Sequence, residues 1–472
     1  MLRPWNIELH LDASSGKAIY LQIADAIIKD IYSGRLKGGD ALPGSRNLAQ
    51  LLNVNRNTVV DALNVLLVEG WLVSRARKGT FVARQLPRLK KIRVPERSAP
   101  DTEKPTKICN IRFDDGHPNS KIAPIAALAR SYRQLFHQKA KWQMMAYGDA
   151  YGDAAFRKEI AQMLNHQRYM QVSHNELCIT RGSQMALYLI AQCLLTNGDQ
   201  VMIEDPGYQP AWEALKHAGA TLLPVRVDAE GLLIEDVQAH LRSRKRIRAI
   251  YTTPHRQYPT TVTLSLQRRL ELIRLSNEYG FVIIEDDYDN EFHFGYRPVH
   301  PLSAFPELKH SIYIGTLSKV VAPALRIGYL ATRDIALLRK IGELRKIIDV
   351  QGDTIMELAV LQLIRDGTIK RHIRKAFQHY RSKRDLTAAL LARHLGNKAS
   401  YSIPDGGLAF WIVPHKKISW KLAAKQLGAK GIHITTPDTF SFDEPVNGIR
   451  LGYGALSEAQ LKEGIQALSA LF

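Results

Sequence analysis

The chain has 472 residues, 65 Lys and Arg against 45 Asp and Glu for a formal net charge of +20, and three cysteines; its length exceeds what one hydrophobic core fills, so two or more domains are expected. The excess charge favours a polyanionic partner but is spread out, with a net +3 over residues 1–83 and +5 over 84–110, so charge supports nucleic-acid binding only weakly. Cys109, Cys178 and Cys193 are too few and too far apart for a disulfide framework or a zinc site, no apolar run nears the roughly 20 residues of a membrane span, and the start Met1-Leu2-Arg3-Pro4-Trp5-Asn6 has no signal-peptide core; a soluble, cytoplasmic protein with no membrane contact is expected.

Apolar residues at Ile19, Ile23, Ala26, Ile27 and Ile31 predict a first helix that Ser33-Gly34 stops. Leu42-Pro43-Gly44-Ser45 predicts a turn and cap before a short helix from Arg46 to Leu52. Asn55 caps a third helix, Arg56 to Val68, with Val59, Leu63, Leu66 and Leu67 facing inward and Gly70 ending it. Two alternating runs, Trp71–Ser74 and Thr80–Ala83, then flank the basic tip Arg75-Ala76-Arg77-Lys78-Gly79 as a hairpin.

Helix, helix, turn, helix and basic hairpin is a winged helix-turn-helix, whose third helix enters the DNA major groove. Leu42-Pro43-Gly44-Ser45-Arg46, Asn55-Arg56-Asn57-Thr58-Val59 and Lys78-Gly79-Thr80-Phe81-Val82 resemble the GntR family of bacterial regulators. By position, Arg46, Arg56, Asn57, Thr58, Arg75 and Lys78 would contact double-stranded operator DNA, some at phosphates and some at base edges. The expected DNA-binding domain is residues 1–83. Residues 84–109, with Pro87, Pro95, Pro100 and Pro105 among charges, read as an extended linker.

From residue 110 onward, strand-like runs at Gln200–Glu204, Ile247–Thr252, Phe281–Glu285 and His310–Gly315 alternate with helical stretches, which predicts a mostly parallel α/β sheet with active residues at strand carboxyl ends. Thr180-Arg181-Gly182-Ser183-Gln184 follows the run Leu177–Ile179, placing the backbone N–H groups of Ser183 and Gln184 at a helix start suited to phosphate. Tyr208 lies just past a strand, where its ring could stack on a pyridine. The apolar run Phe281–Ile284 ends in Glu285-Asp286-Asp287, acids that need partners; Asp286 suits a protonated pyridine nitrogen, and Tyr288 could donate to the ring oxygen. Thr316-Leu317-Ser318-Lys319 and Arg326 complete the set: pyridoxal phosphate (PLP) needs a lysine for its Schiff base, a carboxylate at the ring nitrogen and an arginine for the phosphate. A desolvated lysine beside cations is held closer to the neutral amine that this bond requires.

With these motifs the region from about residue 110 to the end resembles the class I, fold-type I aminotransferases, and its pairing with a GntR-like head resembles the MocR/GabR regulators. The resemblance implies the fold-type I transferase fold, a mostly parallel sheet with a smaller C-terminal α/β subdomain, over residues 110–472. It implies that Tyr147 in Tyr147-Gly148-Asp149-Ala150-Tyr151-Gly152 reaches the partner subunit's phosphate, and that Arg450 in Gly448-Ile449-Arg450-Leu451-Gly452 holds a ligand carboxylate. Pro404-Asp405-Gly406-Gly407 resembles the Gly-Gly turn near that site.

Several positions depart from the family. Asn-Pro-Thr-Gly is replaced by Tyr258-Pro259-Thr260-Thr261, the common His-Gln pair reads Arg256-Gln257, Ala324 stands where many enzymes have glycine, and Asp286 and Tyr288 are one residue closer than in typical aminotransferases. These departures favour a regulator over a working aminotransferase with an accessory head. The expectation is a PLP-dependent transcriptional regulator, a homodimer with exchanged heads, in which an amino compound or the vitamer itself acts by exchange at Lys319.

Overall fold

Apolar residues at helical spacing close the head around α1 (Ile19–Tyr32), α2 (Ser45–Leu52) and α3 (Arg56–Val68). Ile23, Ile27, Leu48, Val59, Leu66, Trp71 and Val82 form its core. On α1 the buried stripe runs through Ala24 rather than Ile19, which is 40 % exposed at the helix start. On α3, Ala62 is buried where Leu67 is only partly so. Gly44, not Ser45, is the N-cap of α2 and offers no side-chain acceptor. Asn55 does cap α3, its side-chain oxygen accepting from the Asn57 N–H at 2.9 Å. β1 (Leu72–Arg75) and β2 (Gly79–Val82) pair antiparallel as the wing, Leu72 opposite Val82.

The computed structural model describes residues 16–76, 78–87, 110–137, 145–243, 246–289, 291–295 and 299–472. The chain divides into two units, residues 1–102 and 103–472. Arg77, Cys109 and most of the expected linker, residues 88–109, lie outside the described residues.

In the larger unit β3 (Ile111–Phe113) comes first. The strands β4 (Leu177–Thr180), β5 (Gln200–Asp205), β6 (Thr221–Asp228), β7 (Gly231–Leu232), β8 (Ile247–Thr252), β9 (Val282–Asp287), β10 (Ser311–Thr316) and β11 (Gly328–Thr332) then form one sheet in the order β4-β11-β10-β9-β8-β5-β6-β7. Neighbours from β10 to β6 are parallel, and β11 runs against both β10 and β4. Two reversals restore direction, so β4 also points with the parallel set. The carboxyl ends of β4, β5, β8, β9 and β10 therefore converge on one edge, where α/β sheets bind ligands. Ile283, Ile284, Ile312 and Ile314 are fully covered, as expected of strands with helices on both faces.

The C-terminal subdomain carries the antiparallel sheet β12 (Ala399–Tyr401), β13 (Ala409–Pro414) and β15 (Ile449–Gly452), while β14 (Ile432–Ile434) pairs parallel with β3. The opening strand of the large unit thus completes the last subdomain, and Phe113 lies in its core with Phe410, Leu451 and Tyr453. Among the described residues no helix is long and apolar enough to cross a membrane, and no cluster of metal-ligating side chains occurs.

Candidate functional site

At the converging strand ends lies a cavity of about 190 Å³ whose walls include Ser183, Tyr208, Asp286, Tyr288, Thr316, Ser318, Lys319 and Arg326. The structure thus brings together eight residues from five separate stretches of sequence.

β9 explains why one acid of three faces this cavity. The strand continues through Glu285, Asp286 and Asp287 instead of ending before them, so their side chains alternate between faces. Glu285 accepts from the Leu302 and Ser303 backbone N–H groups at 2.8 and 2.9 Å and from the Ser303 hydroxyl. Asp287 pairs with Arg168 and accepts from the Tyr313 hydroxyl at 2.7 Å. Asp286 alone lines the cavity. Its Oδ2 accepts from the Tyr251 hydroxyl at 2.9 Å, while its buried Oδ1 has no partner. Burial pushes its carboxyl up to about 7, against the opposing Tyr251 hydrogen bond.

Lys319 follows β10 in a loop whose hydroxyls brace the backbone: Thr316 Oγ1 accepts from the Ser318 N–H at 3.1 Å and donates to the Ile327 carbonyl at 3.0 Å. Its Nζ is 3.9 Å from Asp289 Oδ2 and 4.6 Å from the centroid of the Tyr288 ring. Burial holds the ammonium below its ordinary range; Asp289 opposes this and Arg450 adds to it. Arg326 follows a short 3-10 turn, Pro323–Leu325, with φ of +50°. Its guanidinium packs on Gly182, where an added Cβ would stand 2.6 Å from Nη2. Gly182 opens α4 (Gly182–Leu194) with φ of +78°, so glycine both frees this turn and makes room for the arginine.

The remaining predicted residues make the following contacts. Gln184 directs its side chain onto the Pro210 carbonyl at 2.9 Å, away from the cavity. The Tyr288 hydroxyl donates to the Arg256 carbonyl at 2.9 Å. Arg450 is 2 % exposed and stands behind the wall: Nε, Nη1 and Nη2 donate to the Asp115 carbonyl, the Pro259 carbonyl and the Tyr288 hydroxyl at 3.2, 3.0 and 3.4 Å. Tyr147 is 89 % exposed and contributes nothing to the cavity of its own chain.

The departures at 256–261 form a braced turn. Tyr258 lines the cavity, packs edge-on against Tyr208 at 5.2 Å and donates to Asp115 Oδ1 at 2.8 Å. Thr261 stands at φ +66°, a left-handed conformation costly for a β-branched residue and free for the glycine usual there. Arg256 packs on the Gly406-Gly407 turn and donates to the Asp289 and Phe292 carbonyls, both at 3.3 Å.

Asp115, His117, Tyr251, Thr253 and Asp289 are site residues that the sequence reading did not single out. Asp114-Asp115-Gly116-His117-Pro118, a polar turn immediately after an apolar strand, was the available signal for the first two. Tyr251 carried none, since a tyrosine within a buried strand reads as core.

In the head, Arg56 and Asn57 are exposed in the first turn of α3, with Thr58 half-buried beside them, and Arg46 is exposed in the first turn of α2. The Arg56 Nε lies 3.4 Å from the Ser45 hydroxyl, tying the two helix starts together. Arg75 extends over the Phe81 ring at 5.0 Å, and Lys78 is exposed at the hairpin tip.

Residues 111–468 match the family described as aminotransferase class I and II, and residues 19–82 match the gntR family of bacterial regulatory proteins. The chain is 28 % identical to a probable rhizopine catabolism regulatory protein, MocR, of Rhizobium meliloti, covering 98 % of this chain and 96 % of that one. It is 27 % identical to the HTH-type transcriptional regulator TauR of Rhodobacter capsulatus, over 95 % of both chains. The crystal structure of Pyrococcus horikoshii kynurenine aminotransferase, in complex with PMP, matches 76 % of this chain and 90 % of its own with 26 % identity and a TM-score of 0.72.

Proposed function

Because the chain belongs to the class I and II aminotransferase family and opens with a gntR-family domain, we propose that it is a transcriptional regulator, binding operator DNA through its head and sensing an amino compound through PLP held in its large domain. The observation that carries this reading is the unpartnered, buried Oδ1 of Asp286 in the cavity wall, on a chain that also exposes Arg46 and Arg56 at adjoining helix starts. A regulator needs both parts, whereas an aminotransferase needs only the first.

The residues fit PLP. A protonated pyridine nitrogen is the donor that Asp286 Oδ1 lacks. Arg326 and the Ser183 backbone N–H at the start of α4 offer donors to a phosphate, beside the hydroxyls of Thr316 and Ser318, which in this fold are directed at the Ile327 carbonyl. Tyr208 offers its ring as a side wall. Bound PLP supplies an aldehyde that reacts with primary amines and a ring that withdraws electrons. Lys319, whose ammonium burial holds below its ordinary range, offers the amine that holds it, and Asp286 keeps the ring-nitrogen proton in place. Tyr258 and Tyr288 close the side facing Arg450. An incoming amine regulates only through unequal affinity for two arrangements of the protein. Operator binding followed while amines are titrated into PLP-loaded protein tests the reading; no amine altering either DNA affinity or the cofactor spectrum would overturn it. Sustained multiple turnover with amino donors and keto acids, without an effect on DNA binding, would make the chain an enzyme instead.

In the head, Arg56→Ala is expected to weaken operator binding by about tenfold or more and to lower its salt dependence by about one counterion. Affinity measured across a salt series checks this, and an unchanged slope and affinity would remove Arg56 from the interface. The absorption of bound PLP should be the same in this variant as in the wild type.

The active form is proposed to be a homodimer with exchanged heads. Met145, Tyr147, Ile347, Ile348 and Val350 are exposed, Ile347 at 82 %, and the Gly148 N–H donates to the Gln351 side chain, holding the two apolar segments side by side. Such a patch is a surface for a second copy. Sedimentation of the full chain should give twice its 53.2 kDa. Ile347→Asp should shift it to monomer and weaken PLP binding by about tenfold or more, because Tyr147 is assigned to the neighbouring site. A monomeric variant with full cofactor affinity would refute the shared site.

A further inference from the structure

Lys319 has a buried carboxylate neighbour that the cofactor leaves unassigned. Asp289 lies two residues past the end of β9, and its Oδ2 is 3.9 Å from Lys319 Nζ. Neither oxygen of this carboxylate has a hydrogen-bond partner. The Gly407 backbone packs against it, so closely that an added Cβ would stand 2.4 Å from Oδ2. Arg256 donates to the Asp289 backbone carbonyl and not to the side chain, and Arg450 acts on it from farther off. Among the described residues Lys319 is the one cation within ion-pair distance of it.

Lys319 itself meets charge from several elements. Asp286 on β9 and Asp289 beyond it face the lysine, as do Asp114, Asp115 and His117 from the turn after β3 and Arg450 from β15. Burial lowers the affinity of Nζ for its proton and Arg450 adds to this, while Asp289 is the strongest of the charges acting the other way. The other acids have partners of their own. Asp286 is given to the ring nitrogen and accepts from Tyr251. Asp114 is held by the Gly116 and His117 N–H groups and by the His117 ring, and Asp115 accepts from the Tyr258 hydroxyl at 2.8 Å.

When an incoming primary amine takes the aldehyde carbon of the cofactor, the carbon–nitrogen bond to Nζ breaks and one to the incoming nitrogen forms. Protons pass from that nitrogen to Nζ, so charge is conserved and neither water nor a further reactant is consumed. A nitrogen bonded to an aldehyde carbon is a weaker base than a free amine, so a neighbouring carboxylate stabilises the displaced lysine more than the bonded one. We propose that Asp289 is the counter-ion of the displaced Lys319, and that this ion pair favours the effector-bound arrangement over the one in which the lysine holds the cofactor. The inference rests on the PLP reading above.

Two measurements on the full chain test this. In the cofactor-free protein, the rate at which acetic anhydride acetylates Lys319 follows the fraction of neutral amine, and mass spectrometry reads it across a pH series. Asp289→Asn and Asp289→Ser should each move the midpoint of that profile about one to three pH units below the wild type. Lys383, buried and bonded to the Gly454 and Leu456 carbonyls, is the internal reference, and its midpoint should not move. In the PLP-loaded protein, titrated with an alkylamine and with an ω-amino acid at neutral pH while the cofactor spectrum is followed, both variants should need about tenfold more amine or higher for half-maximal change, the counterpart of one pH unit. The inference is overturned, with the PLP reading intact, if the Lys319 midpoint stays where it is, if both variants respond at wild-type amine concentrations, or if neither amine alters the spectrum of any of the three proteins. A wild type that takes up no colour from PLP overturns the PLP reading and the inference with it.

Discussion

Lys319→Ala is expected to remain colourless when incubated with PLP under conditions in which the wild type turns yellow and retains its colour through desalting. The wild-type lysine ends in the cavity wall at the end of β10, among Tyr288, Asp286 and Asp289, with burial holding its ammonium below the ordinary range. Removing it should abolish the visible band. It should also leave Asp289 without its nearby cation. That carboxylate is 3 % exposed and neither of its oxygens has a hydrogen-bond partner, so the variant should lose about 1–3 kcal/mol of stability. Lys319→Ala with Asp289→Asn should recover most of that loss without recovering colour. Absorption and thermal melting separate the two effects; a yellow Lys319→Ala protein would place the reactive amine elsewhere.

Asp286→Asn should have opposite effects on the cofactor-free and cofactor-loaded protein. In the cofactor-free fold the carboxyl is pushed up to about 7 by burial, above the roughly 3.9 of an unfolded chain. The folded state therefore holds a proton that the unfolded state has released between these values. The stability this contributes is complete below about pH 4 and is lost as pH rises through about 7, a loss of up to about 4 kcal/mol. Asparagine does not titrate and can still accept from Tyr251. Cofactor-free Asp286→Asn should thus melt above the cofactor-free wild type at pH 8, with the gap narrowing towards pH 5. For PLP the same change removes a charged partner of the ring nitrogen, and affinity should fall about 10- to 100-fold. Melting curves at the two pH values and a PLP titration check both signs. A variant less stable at pH 8 would mean that the site already satisfies the ionised carboxylate.

By itself the sequence determined the class of both parts. Apolar spacing over Ile23, Ile27 and Ile31, the Asn55 cap and the alternation across the basic hairpin are local signals, because a helix or two-stranded wing is dictated by residues a few positions apart. The PLP reading was also local in origin: Lys319 and Asp286 each sit at the end of an apolar run that parallel strands carry to one edge, and Arg326 lies seven residues beyond Lys319, in the turn before β11. The tertiary structure decided which groups are left without partners. Glu285, Asp286 and Asp287 look alike in sequence, yet strand alternation turns Glu285 and Asp287 towards Ser303, Arg168 and Tyr313 and leaves Asp286 facing the cavity. Arg450, which reads in sequence as a ligand arginine, is buried beside the cavity and held by contacts with Asp115, Pro259 and Tyr288 from distant segments. Asp115 acquires meaning only when β3 pairs with β14 and brings the turn after Phe113 to the pocket. Hydrogen-bond satisfaction and burial depend on neighbours hundreds of residues away, so spacing could nominate these side chains but only the folded chain could set their charge and their freedom to bind.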